Sequence, residues 1–198
     1  MHSCFFVIGL GLIAVAAGVS AEQSVTHEAH VHGLAKLTLI AEADVINMQL
    51  ESPAMNIVGF EHEPKTKEQQ KTLEQALKKL NKPEVLIAFN GGQCSFAGVD
   101  VDNPFKIDAQ HDKHEHDEHK HDHDEHKHEQ DEHEDSEHRQ FVVEYQAQCK
   151  KINELKAINF TLLNEFKAVE ALEVQYVLSG KQGAVTLNSS AFRLSINE

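Results

Sequence analysis

The chain has 198 residues and a formal net charge of −14, from 18 Lys and Arg against 32 Asp and Glu. Residues 111–138 alone hold 13 of those acids against 3 Lys, so the acidity is local and no basic patch exists to neutralise phosphates, which argues against a nucleic-acid partner. With a leader and a polar stretch set aside, the remaining chain suffices for one substantial core or two small ones.

Residues 5–19, "FFVIGLGLIAVAAGV", form an apolar run that is short for a bilayer span, and Val-Ser-Ala ending at Ala21 is a small-residue cleavage pattern. Residues 1–21 therefore read as a secretory signal peptide, with a short membrane anchor as the alternative. The mature chain would begin at Glu22 and would not be membrane-embedded. Cleavage also removes Cys4 and leaves Cys94 and Cys149, an even count that in an exported chain is most simply one disulfide. Such a bond would bridge the His-rich stretch, anchor both its ends nearby, and stabilise the fold by roughly 4 kcal/mol in the chain-entropy model. A metal-thiolate pair is the alternative.

From Ala29 to Ala41 the sequence alternates, with Val31, Ala35, Leu37 and Leu39 on one strand face and His30, His32, Lys36 and Thr38 on the other. A second strand at Val45–Glu51 turns Ile46, Met48 and Leu50 inward and ends at Pro53. "TKEQ" at Thr66–Gln69 is a capping box, and Leu73, Ala76, Leu77 and Leu80 follow at helical spacing. Pro83 stands just beyond that helix, and "EVLIAF" with "CSFAGVDV" suggests a hairpin around Asn90, Gly91 and Gly92. Beyond the polar stretch, Phe141, Val143, Tyr145, Ala147 and Cys149 alternate as another half-buried strand. "KAINFTLLNEFKAVEAL" reads as a strand entering a helical turn, and "LEVQYVL", "AVTLNS" and "FRLSI" give three more short strands. The expected fold class is α+β, antiparallel sheets with few short helices. Each half offers strand, strand and helical turn in the same order, which suggests two similar subdomains, 22–105 and a mainly β 139–198, separated by residues 106–138.

Residues 114–134, "HEHDEHKHDHDEHKHEQDEHE", repeat with a period of seven, yet no heptad position is apolar and no coiled-coil seam is available. Residues 111–138 hold ten His and nothing with which to bury a core, so the free segment should be disordered. Imidazole suits zinc, copper and nickel, and carboxylates add oxygen ligands and compensating charge. His111, His114, His116, His119, His121, His123, His126, His128 and His133 can thus form many alternative weak sites. Charging of these imidazoles near their reference pKa of about 6.5 would add a pH response. Outside the stretch, "EAHVHG" places His30 and His32 at i and i+2 on a strand, hence on one face, opposite the core side chains. His138 precedes the second alternating strand, and His62 lies between Glu61 and Glu63 in "FEHEP". A compact site needs three or four such ligands, and His30, His32, His62 and His138 are the candidates; ordinary surface histidines are the alternative. His-Glu-x-x-His is absent, so a zinc hydrolase is not expected and the chain does not read as an enzyme.

The segments "HEAHVHGLAKLTLIAE", "LESPAMNIVGFEHEP", "NGGQCSF", "SEHRQFVVEYQAQC" and "LEVQYVLSGKQGAVTLNSSAFRL" together resemble the ZrgA-type zinc-regulated, zinc-binding periplasmic proteins of Gram-negative bacteria. The resemblance covers nearly the whole mature chain. It implies a periplasmic protein that helps acquire Zn(II) when it is scarce, handing it to or cooperating with a zinc uptake transporter or receptor. It also implies two similar subdomains, and His30, His32, His62 and His138 fall within the matching segments. Cu(II), Ni(II) and Co(II) would compete for such ligands in vitro. The alternatives are a metal-independent interaction module and a metal buffer or storage protein cooperating with a transporter.

Overall fold

A computed structural model describes residues 31–105 and 139–196; the expected leader and residues 106–138 lie outside the described residues. The first alternating pattern becomes β1 (Leu34–Glu42), which buries Ala35, Leu37 and Leu39 and exposes Lys36, Thr38 and Ile40. This strand starts later than its alternation suggests. Gly33 has φ of 86°, a left-handed conformation that glycine adopts without a Cβ clash, and the turn it makes keeps His32 off the strand. A two-residue turn at Ala43 and Asp44 leads into β2 (Val45–Pro53), whose Ile46, Met48 and Leu50 face the same core. Pro53 closes the strand and opens α1 (Ala54–Val58), which ends at the left-handed Gly59.

Thr66 caps α2 (Lys67–Leu80) as expected: its side chain accepts from the Gln69 N–H while the Gln69 side chain accepts from the Thr66 N–H. Leu73, Ala76 and Leu80 turn inward. The expected hairpin is absent. Residues Pro83–Leu86 form a helical turn, α3, with Pro at its start, and Gly91, Gly92 and Gln93 all take positive φ. That reversal sends β3 (Ala88–Asn90) and β4 (Cys94–Asp102) into different sheets.

On the far side of residues 106–138 come β5 (Gln140–Cys149), β6 (Ala157–Asn159), α4 (Leu162–Glu165), β7 (Ala171–Leu178), β8 (Lys181–Leu187) and β9 (Arg193–Ser195). The larger sheet has six strands in the order β4-β5-β2-β1-β7-β8, and the smaller has the order β3-β6-β9. All neighbours are antiparallel except β1 and β7, which run parallel. The fold is α+β with mostly antiparallel sheets and few short helices. Strands from both sides of residues 106–138 share the larger sheet, where β5 lies between β4 and β2. One core cluster draws on both sheets and all four helices. At its centre Leu39 is fully buried, and Leu39→Ala would cost about 3 kcal/mol through lost transfer energy and a residual cavity.

Cys94 and Cys149 are disulfide-bonded and stand opposite each other in the β4–β5 ladder. The ladder continues from there to Asp102 and Val142. At about 3.4 Å per residue the bond is therefore roughly 24 Å from the end at which residues 106–138 leave and return. This corrects the expectation that the stretch is anchored beside the disulfide. Its ends are held elsewhere, by Phe105 and Arg139.

Candidate metal centre

Two short runs meet at one corner of the larger sheet. The turn ahead of β1 carries His32, and the chain leaving α1 through Gly59 carries Phe60, Glu61, His62 and Glu63. His32 Nε2 lies 2.9 Å from Glu61 Oε1. A carboxylate oxygen accepts, so Nε2 carries the proton and donates, and in the neutral ring Nδ1 keeps its lone pair. Among the described residues Nδ1 has no partner. His62 is arranged the other way round. Its Nδ1 lies 2.8 Å from the Glu63 carbonyl oxygen and must donate, leaving Nε2 as the basic nitrogen, 3.5 Å from the Gln69 side-chain amide. The ring stacks on buried Phe60 with centroids 5.5 Å apart. His32 thus has one nitrogen oriented by a protein acceptor and one lone pair left over, the arrangement in which histidines bind metal, whereas the His62 lone pair faces the Gln69 amide donor.

The corner is also where residues 106–138 begin and end. Phe105 is buried between Phe60 and Phe141, at centroid distances of 5.4 and 5.9 Å. Arg139 donates to Glu63 Oε1 and to the Pro104 carbonyl oxygen, both at 2.7 Å, and its guanidinium lies over the Phe105 ring. The Arg139 carbonyl in turn accepts from the N–H of Ala54, the first residue of α1. The chain on either side of the His-rich stretch is therefore held against the Glu61–Glu63 run.

Of the residues expected from sequence, His32 and His62 are described and share this corner. His30, His138, His111, His114, His116, His119, His121, His123, His126, His128 and His133 lie outside the described residues, although Val31 and Arg139, the neighbours of His30 and His138, are described. Among the described residues no group of three or more His, Cys, Asp or Glu is arranged to hold a metal. Cys94 and Cys149 are bonded to each other, which removes the metal-thiolate alternative for the pair as described. Residue type alone does not mark Arg139 or Asn56 as functional; the one signal is that they lie inside the distinctive segments "SEHRQFVVEYQAQC" and "LESPAMNIVGFEHEP". A depression of about 440 Å³ on the open face of the larger sheet is lined by residues such as Asn47, Gln49, Asp100 and Glu144 and by no histidine.

An α+β protein that presents oriented imidazoles and carboxylates at an exposed corner has the ligand chemistry of a metal-ion binder. The chain belongs to the ZrgA family of zinc uptake proteins, whose model matches residues 29–196. Comparison with curated proteins gives no match. No helix among the described residues is long and apolar enough to cross a membrane.

Proposed function

We propose that this chain is a periplasmic zinc-binding protein, not an enzyme, that aids zinc acquisition under scarcity and cooperates with an uptake transporter. Residues 1–21 act as its signal peptide, and residues 106–138 gather metal between the segments 22–105 and 139–198. The folded corner supplies His32 and His62, completed by His30 and His138, which adjoin described residues of the same corner. The observation that carries this reading is the His32–Glu61 pair beside the chain ends of the His-rich stretch, in a member of a zinc uptake family. Many weak ligands close to a few fixed ones raise the local metal concentration at the fixed site.

A second reading has support of its own. Because the described residues hold no complete ligand set, residues 106–138 could bind all the metal as a buffer while the fold serves as a frame. Zinc titration by calorimetry at neutral pH separates the two, using the mature protein intact, lacking residues 111–136, and with His30 and His32 changed to Ala. One tight site that survives the deletion and is abolished by the double substitution supports the folded receptor. Loss of all binding on deletion overturns it in favour of the buffer.

A further inference from the structure

We propose that Asn56 is a positioning residue for this corner: its buried carboxamide fixes the turn around Gly33 so that His32 faces Glu61. The inference rests on reading the corner as a zinc site and names the residue through which the fold sets it.

Asn56 is only 3% exposed on α1, and a buried amide is unfavourable unless its hydrogen bonds are made. Its Oδ1 accepts from the Gly33 N–H at 2.7 Å, and its Nδ2 donates to the Leu34 carbonyl oxygen at 3.0 Å and to Ser52 Oγ at 3.4 Å. The two backbone partners fix which end of the amide points where, since an N–H can only donate and a carbonyl can only accept. Aspartate would set an anion against the Leu34 carbonyl, and an aliphatic side chain would leave both backbone groups unpaired.

Those groups need a partner because the β1–β2 pairing stops short of them, running from Lys36↔Glu51 to Glu42↔Val45. The other edge of the turn is already held, for the Gly33 carbonyl accepts from Glu170 N and Ala171 N. Asn56 therefore replaces the missing β2 pairing at the residues that follow His32. The same five-residue helix ends at Gly59, whose left-handed backbone directs the chain toward Glu61. One short helix thus determines the position of both members of the pair.

The test uses the full mature protein as wild type, Asn56→Ala, His32→Ala and the double variant. Zinc affinity of the tight site is measured by calorimetry, and the His32 ring resonance, identified by its loss in His32→Ala, is followed by NMR without metal. Asn56→Ala should weaken the tight site by about tenfold, the lower end of the range for groups that orient metal-binding histidines. It should shift the His32 resonance, and the double variant should bind no more weakly than His32→Ala. An unmoved resonance, or losses that multiply in the double variant, overturns the inference and leaves Asn56 a stabiliser of the fold. Should Asn56→Ala fail to fold, Asn56→Asp, nearly identical in shape, is read in the same way. If His32→Ala leaves zinc binding intact, the zinc-site reading fails, and the metal-free His32 resonance alone decides the role of Asn56.

Discussion

Arg139 and Glu63 are 76 positions apart in sequence and joined by a 2.7 Å hydrogen bond, with the same arginine nitrogen also donating to the Pro104 carbonyl. Arg139 thereby ties the chain on both sides of residues 106–138 to the run that contains His62. The pair is partly exposed, at 20% for the arginine side chain and 39% for the glutamate, so solvent screens part of its attraction. Adding the Pro104 bond and the ring contact with Phe105, Arg139→Ala should destabilise the fold by about 1–2 kcal/mol. Arg139→Lys should recover less than half, since an ammonium cannot reproduce the planar stacking. Urea unfolding of the three proteins checks this, and an unchanged midpoint in Arg139→Ala would mean that water already satisfies these groups.

The position of the disulfide separates stability from metal capacity. Cys94 and Cys149 close the end of the β4–β5 ladder opposite to Phe105 and Arg139. Changing both to Ser should lower stability by up to about 4 kcal/mol, from the unfolded-state entropy of a loop spanning 55 positions. The number of zinc ions bound by the folded protein should not change. Denaturation and calorimetric stoichiometry on the same samples test both halves, and fewer ions bound by protein that is still folded would falsify the separation.

Two glycines with similar backbone angles should respond differently to the same substitution. Gly33 and Gly59 have φ of 86° and 82°, so alanine at either forces an L-residue into the left-handed region, at about 1–2 kcal/mol. At Gly59 a Cβ would meet nothing within 4 Å, whereas at Gly33 it would lie 3.3 Å from the Glu170 carboxyl carbon. Gly33→Ala should therefore cost more than Gly59→Ala unless the exposed Glu170 side chain swings aside freely. Equal unfolding midpoints would show that it does.

Local pattern was legible in the sequence and long-range pairing was not. The period of two in Ala35, Leu37 and Leu39 and in Phe141, Val143 and Tyr145 gave the buried faces of β1 and β5, and Thr66 with Gln69 marked the start of α2. Period alone cannot say that β5 inserts between β4 and β2, or that β7 pairs in parallel with β1, because each depends on partners far away in the chain. The hairpin expected around Gly91 and Gly92 was misjudged for a related reason. Consecutive glycines announce a reversal without saying whether the strands on either side then pair. At the candidate corner, the histidines are visible by type. Their orientation depends on Glu61, the Glu63 carbonyl and Asn56, and no spacing rule brings residue 32 to residue 61.

Tyr145 makes the alkaline limit of the fold predictable. Its ring is buried in the core, and its hydroxyl donates to the carbonyl oxygen of Leu80, the last residue of α2, at 3.1 Å. That carbonyl belongs to the final turn, where no further helical N–H is available. Burial pushes the phenol well above its usual value, because the phenolate would lose its hydration. The unfolded chain ionises this group near pH 10, so below that pH both states hold the proton and the stabilisation is fully present. Above it the unfolded state releases a proton that the folded state keeps, and stability falls by at most about 1.4 kcal/mol per pH unit from this one group. Lysines titrate in the same range, so the wild-type curve alone does not isolate the effect. Tyr145→Phe does: it should cost about 1 kcal/mol at neutral pH for the lost hydrogen bond and then lose less stability than wild type on going from pH 9 to pH 11. Urea unfolding at those two pH values measures the difference, and parallel losses in the two proteins would mean that the folded state ionises Tyr145 as readily as the unfolded chain does.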